Sequence, residues 1–171
     1  MNTAEKKYKI AWLPGDGIGV EVLEATRIVL DKVQFKAEYI HGEIGWEYWC
    51  KEGDAFPQRT IELLKNVDAA MFGAITSKPA KTAQEELVDE LKDKGLMYRS
   101  PIVRMRQLFD LYTCLRPCKA YPGNPINFKE DIDIVVFREN TEDLYSGVEF
   151  NPVPEELATT LNKISKPFEV F

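Results

Sequence analysis

The chain has 171 residues, 44% of them hydrophobic and 29% charged, with a formal net charge of −6. That is enough apolar material for a folded core and too much for a disordered chain. The acidic balance excludes a chain devoted to nucleic acid or to an anionic membrane, since both demand clustered positive charge. No apolar run near the N-terminus reaches signal-peptide or membrane-span length, so the expected address is the cytoplasm. Cys50, Cys114 and Cys118 are odd in number and lack paired-ligand spacing, and they read as reduced thiols.

In chain order, Tyr8 to Leu13 is a short apolar run that reads as a strand and stops at Pro14-Gly15-Asp16-Gly17-Ile18-Gly19. Behind this loop Val22, Ala25, Val29 and Val33 recur at helical spacing and are expected to form the core-facing stripe of a helix. A strand over Ala37 to His41 follows, then a short helix from Ile44 to Lys51 that Gly53 stops, and a helix opened by Pro57 that runs through Leu64. Asp68 to Ile75 reads as a buried strand. Because parallel neighbours need crossover helices, the alternation predicts an α/β fold: a mainly parallel sheet with helices on both faces.

Ala80 to Lys94 is charged, with Leu87, Val88 and Leu91 as a narrow apolar stripe, and is expected to be a solvated surface helix. Pro101 to Leu108 starts a helix with proline in its first turn, and Leu111 to Leu115 alternates as a strand that Pro117 closes, which puts Arg116 at a strand end. Lys119 to Lys129, with Pro122, Gly123 and Pro125, is the most linker-like stretch. Ile132 to Phe137 reads as a buried strand that ends at Arg138. Ligands of open parallel sheets collect beyond the carboxyl ends of strands, so Arg116, Arg138 and the glycine loop are expected to face one cleft.

The loop Gly15-Asp16-Gly17-Ile18-Gly19 has the spacing Gly-x-Gly-x-Gly rather than the dinucleotide fingerprint Gly-x-Gly-x-x-Gly, and a tight turn with positive φ would account for all three glycines. Gly73 to Pro79 follows a strand and offers the hydroxyls of Thr76 and Ser77 to a polar ligand, or forms an ordinary capped turn. Arg106, Arg116 and Arg138 suit a substrate with two or three carboxylates, because a guanidinium grips carboxylates bidentately and keeps its proton. Taken singly, each could equally pair with one of the abundant Asp and Glu residues. Tyr145, seven residues past Arg138, is a candidate proton donor if cations or a metal lower its phenolic pKa from the usual ~10, and otherwise a surface tyrosine. Glu139 reads as a solvated loop charge, and the lone His41 as structural.

Leu13-Pro-Gly-Asp-Gly-Ile-Gly19, Ser100-x-x-x-x-x-Arg106, Leu115-Arg116-Pro117 and Arg138-Glu-Asn-x-Glu-x-x-Tyr145 together resemble the isocitrate and isopropylmalate dehydrogenase family of decarboxylating dehydrogenases, isocitrate dehydrogenase above all. The resemblance runs from about Lys9 to Val148 and matches the N-terminal half of a family member. It implies an incomplete isopropylmalate dehydrogenase-like fold, with residues 1–120 in the large α/β domain and 121–171 starting the small substrate and dimerisation domain. It implies NAD or NADP as cofactor, with Ile18 near the adenosine and Thr76 and Ser77 near the nicotinamide half, and Mg²⁺ or Mn²⁺ as metal. Arg106, Arg116 and Arg138 would bind the malate-like carboxylates, Ser100 the distal carboxylate, and Tyr145 would protonate the enol left after decarboxylation. Arg99 and Arg104 match nothing in the pattern and are expected to be surface charges.

The implied reaction is isocitrate to 2-oxoglutarate, with homoisocitrate or isopropylmalate as alternative substrates. Ile102 stands where isocitrate enzymes often carry asparagine, and Ser-Pro-Ile-Val suits the homoisocitrate type. The metal-binding aspartates, the lysine that takes the hydroxyl proton and the adenine loop are expected downstream of Phe171, so the 171 residues alone are expected to be inactive. A full-length homodimer or larger homo-oligomer is implied, with no nucleic-acid or membrane partner. A reading of another class makes the chain a non-catalytic regulatory subunit or an anion-binding fragment.

Overall fold

The computed structural model describes residues 7–146, 148, 150 and 152–165, and the chain divides into two compact units, 1–109 and 110–171. The first unit runs β1 (Tyr8–Gly15), α1 (Gly19–Lys32), β2 (Ala37–His41), α2 (Trp46–Glu52), α3 (Gln58–Leu64), β3 (Ala69–Ala74), α4 (Ala80–Glu85), α5 (Asp89–Lys92) and α6 (Pro101–Leu108). Its strands form a parallel sheet in the order β2-β1-β3, with Ile10 opposite Tyr39 on one side and Ala69 on the other. The α/β class with a mainly parallel sheet is as the alternation of elements predicts.

Burial follows from that topology. The central strand β1 is buried at Ile10, Ala11 and Leu13, a continuous apolar run of the kind a parallel strand needs when helices cover it. Ala11 and Leu13 pack with Ile44, Phe56 and Ile61, and a second cluster gathers Trp46, Trp49, Ala55, Ala83 and Leu87. The indoles of that cluster are satisfied: Trp49 Nε1 donates to the Ala83 carbonyl at 2.8 Å and Trp46 Nε1 to Glu86 at 2.6 Å. Gly53 ends α2 in the left-handed region at φ 73°, as its position in the sequence predicts.

Three expectations for this unit are corrected. β3, expected to be a buried strand, leaves Ala69 and Ala70 exposed and its other four residues half-buried. In α1 it is Gly19 and Leu23 that are buried, while Val22, Val29 and Val33 are 46, 61 and 65% exposed. The cause is the seat of the first turn: a Cβ on Gly19 would lie 2.2 Å from the Pro14 carbonyl oxygen and 2.5 Å from the Ala74 nitrogen. Only glycine permits that approach, and with Gly19 down, Leu23 one turn on points inward. The third correction concerns residues 80–94, which form the short helices α4 and α5 rather than one solvated helix. Ala83 and Leu87 are buried because the α2 tryptophans need apolar cover and a carbonyl acceptor.

The second unit comprises β4 (Thr113–Lys119), β5 (Asp133–Glu139), a 3-10 turn (Asp143–Ser146) and α7 (Glu155–Ser165). β4 and β5 pair antiparallel, with Cys114 opposite Arg138 and Arg116 opposite Val136. A further bond from Ala120 N–H to the Ile132 carbonyl at 2.8 Å extends the ladder. Pro117 therefore does not close the strand, and Arg116 sits mid-strand rather than at its end; a strand with a single partner leaves alternate N–H groups unpaired, so it tolerates proline. The expected burial of 132–137 is also corrected: Ile134, Val135, Val136 and Phe137 are 44 to 71% exposed. Among the described residues of this unit, Asn140 is the one buried side chain.

Candidate functional site

In the first unit the groups of interest lie at the carboxyl ends of β1 and β3. Gly15 (φ 73°) and Gly17 (φ 55°) take the tight turn, whereas Gly19 is there for close approach, so positive φ accounts for two of the three glycines. Ile18, just ahead of α1, is 70% exposed and open to contact. Asp16 fastens three segments at once. Its Oδ1 accepts the Thr76 N–H at 2.7 Å and the Thr76 hydroxyl at 2.5 Å, and its Oδ2 accepts the Trp46 N–H that opens α2 at 2.6 Å. The donors of Thr76 are thus committed to Asp16, while Ser77 is exposed and shares its hydroxyl with Tyr98 at 3.3 Å. Burial raises the Tyr98 pKa above the usual phenolic value.

Ser100 precedes α6, whose first residue, Pro101, is buried; the Ser100 hydroxyl makes no cap bond to the helix. Arg104, expected as a surface charge, is half-buried: it donates to Asp54 at 2.6 Å and its guanidinium lies 5.7 Å from the Phe56 ring centroid. The core residue Phe56 thus draws Arg104 in, and Asp54 neutralises it. Arg106, on the same helix and half-buried, has no such partner.

In the second unit, antiparallel pairing places Cys114, Arg116, Val136 and Arg138 on one face of the hairpin, with the two arginines diagonal neighbours. Diagonal positions have Cβ atoms about 7–8 Å apart, within reach of two long side chains converging on one anion. Arg116 Nε donates to Cys114 Sγ at 3.3 Å, and the Arg138 guanidinium stands 4.7 Å from the centroid of the Tyr145 ring. Glu139, expected as a loose charge, organises the turn between them: its carboxylate accepts the Thr141 hydroxyl and N–H, each at 2.7 Å, and the Glu142 N–H at 2.8 Å. The Thr141 hydroxyl, with those backbone N–H groups behind it, lowers the Glu139 pKa to about 2. Asn140 beside it is buried, and its Oδ1 accepts no hydrogen bond from the described residues.

The arginines sort by partner. Of seven in the chain, Arg27, Arg59 and Arg104 pair with carboxylates, whereas Arg106, Arg116 and Arg138 have none in ion-pair reach among the described residues. Arg99 is likewise without one. Lack of a carboxylate partner among the described residues therefore holds for four guanidinia and does not by itself single out Arg106, Arg116 and Arg138; the pairing of β4 with β5 is what sets Arg116 and Arg138 on one face. Among the described residues no three His, Cys, Asp or Glu side chains converge on one point, and no helix is long and apolar enough to cross a membrane. The residues that sequence reasoning passed over are Asp16 and Tyr98. Asp16 carried a signal, an acid between two turn glycines, while Tyr98 carried only its place two residues before Ser100.

A model of the isocitrate/isopropylmalate dehydrogenase family matches residues 9–168. The chain belongs to this family. Protein DlpA of Legionella pneumophila is 43% identical over 90% of this chain and 24% of its own length. The 3-isopropylmalate dehydrogenase of Methanothermobacter thermautotrophicus is 41% identical over 84% of this chain and 38% of its own. The crystal structure of isocitrate dehydrogenase from Methylococcus capsulatus superposes with a TM-score of 0.67 at 28% identity, covering 84% of this chain and 38% of that one. This family member spans less than two fifths of the length of each of these three. NADP isocitrate dehydrogenases and a homoisocitrate dehydrogenase are also among its relatives.

Proposed function

We propose that this chain is the part of a nicotinamide-dependent decarboxylating dehydrogenase that grips the substrate carboxylates and returns the final proton, with isocitrate as substrate and 2-oxoglutarate as product. The observation that carries this reading is the face of β4 and β5 on which Arg116 and Arg138 stand without carboxylate partners, Arg138 lying against the Tyr145 ring. Arg116 and Arg138 hold carboxylates by charge-assisted bonds, and Tyr145 protonates C3 once carbon dioxide has left. Ser100 and Arg106 are the carboxylate contacts of the first unit, and Ile18, Thr76 and Ser77 the neighbours of NAD or NADP. Residues 121–171, which lie within the second unit, are read as the start of the small substrate and dimerisation domain of a homo-oligomer. The Mg²⁺ or Mn²⁺ of this chemistry would polarise the carbonyl formed on oxidation; the described residues hold no ligand cluster for it, and no role here depends on one.

A second substrate reading has its own support. Ile102, half-buried in α6 two residues past Ser100, offers no hydrogen bond to a distal carboxylate, which favours isopropylmalate with its apolar branch, while the Ser-Pro-Ile-Val resemblance supports homoisocitrate. The deciding experiment assays the complete protein against isocitrate, homoisocitrate and isopropylmalate with NAD or NADP and Mn²⁺. Arg116→Ala should then weaken binding of the preferred substrate by about 2–5 kcal/mol, the scale for removing one partner of a charge-assisted pair. Unchanged affinity in that variant would remove Arg116 from the substrate site.

A further inference from the structure

The Thr76-Ser77 loop is gripped from two sides by residues to which the proposed function gives no role. On one side stands Asp16, with Thr76 N–H and hydroxyl on Oδ1 and Trp46 N–H on Oδ2, while its own N–H donates to the Ala74 carbonyl at 2.9 Å. On the other stands Tyr98, whose hydroxyl lies 3.4 Å from the Thr76 carbonyl oxygen and 3.3 Å from Ser77 Oγ. The Tyr98 ring is held in turn, 5.0 Å from Trp46 and 5.3 Å from Trp49 between centroids. Among the described residues, Asp16 and Tyr98 are the side chains that bond Thr76 and Ser77. Tyr98 also lies two residues ahead of Ser100, where α6 begins. One phenol therefore ties the loop beyond β3 to the segment that delivers the substrate serine.

We propose that Asp16 and Tyr98 are positioning residues that set the Thr76-Ser77 loop for the nicotinamide cofactor, and that Tyr98 links occupancy of this loop to substrate binding at Ser100. The inference rests on the function proposed above and extends it to how the two ligands influence each other. A charged acceptor with three donors fixes a loop more rigidly than neutral bonds would, since charge-assisted bonds are roughly twice as strong. The Tyr98 contacts are longer and weaker, which suits a link that yields between states rather than a rigid strut.

The test uses the complete protein and reads the Kd of NADP or NAD by fluorescence, with and without substrate, alongside steady-state kinetics and unfolding midpoints. Asp16→Asn should raise the cofactor Kd roughly 10- to 100-fold, because its amide nitrogen meets either the Trp46 or the Thr76 donor instead of accepting from it. Tyr98→Phe keeps the ring packing and serves if the first variant fails to fold. It should raise the cofactor KM about 3- to 10-fold with little change in kcat, and bring the cofactor Kd measured with substrate toward that without. Wild-type cofactor affinity and unaltered mutual influence in Tyr98→Phe would overturn the link. Wild-type affinity in Asp16→Asn would remove Asp16 from loop positioning. A wild-type protein that binds neither NAD nor NADP would instead refute the dehydrogenase reading, and the inference with it.

Discussion

In residues 1–109 the central strand buries Ala11 and Leu13 at 0% exposure, whereas in 110–171 the strand residues Val135, Val136 and Phe137 stay 49, 44 and 71% exposed. The difference follows from the connections. Parallel strands such as β1, β2 and β3 require crossover helices, and those helices cover the central strand β1. An antiparallel pair such as β4 and β5 needs only a loop, so its register is fixed by the ladder while its faces stay open. The first unit holds its loops with buried aromatic rings and the Asp16 carboxylate, while the second aligns Arg116, Arg138 and Tyr145 through strand register and one capped turn.

Three measurements test this contrast. The largest effect is expected at Tyr145: in the complete protein Tyr145→Phe should lower turnover roughly 10²–10⁴-fold while leaving the unfolding midpoint in place. Near-normal turnover would return Tyr145 to an ordinary surface residue. Next in size is a pair of core tests read by urea unfolding. Phe56→Ala, at 0% exposure in the first unit, should destabilise by about 3–5 kcal/mol, and Phe137→Ala in the second by no more than about 0.5 kcal/mol. Equal losses would mean that the two units are not built differently.

The smallest effect is local and depends on pH. Glu139 has its folded pKa lowered to about 2, first by the Thr141 hydroxyl and then by backbone N–H groups, so its stabilisation is present above its ordinary value near 4.5 and fades as pH falls through about 2. Exchange protection of the Thr141 and Glu142 amides should fall across that window, and Glu139→Gln should make it insensitive to pH. Protection that stays constant from pH 5 to pH 2 would show that the carboxylate does not hold the turn.

Much of the first unit is legible in the sequence because its signals are local. Ala37 to His41, Pro101 to Leu108 and the stop at Gly53 can each be read from a few neighbouring residues, and the structure shows them at those positions. The arginines proposed to hold the substrate are legible as a set through the family motif, and the β4–β5 register gives two of them, Arg116 and Arg138, a shared face. The helical stripe Val22, Ala25, Val29 and Val33 misleads, because periodicity reports that residues are apolar but not which of two adjacent faces meets the sheet; the contact of Gly19 with Pro14 and Ala74 decided that. The run 132–137 misleads similarly, since an apolar strand reads the same whether its neighbour is a covered parallel strand or an open hairpin partner.

The order of elements from β1 to β3, the tight turn at Gly15 and Gly17 and the family motifs follow from the sequence, because each depends on residues near one another in the chain. Only the tertiary structure decided that Arg116 lies mid-strand diagonal to Arg138, that Arg104 belongs to Asp54, and that Asp16 holds Thr76 from 60 residues away. A carboxylate can bond any donor brought within about 3 Å, and which donor arrives is set by how strands and helices pack rather than by the letters beside it.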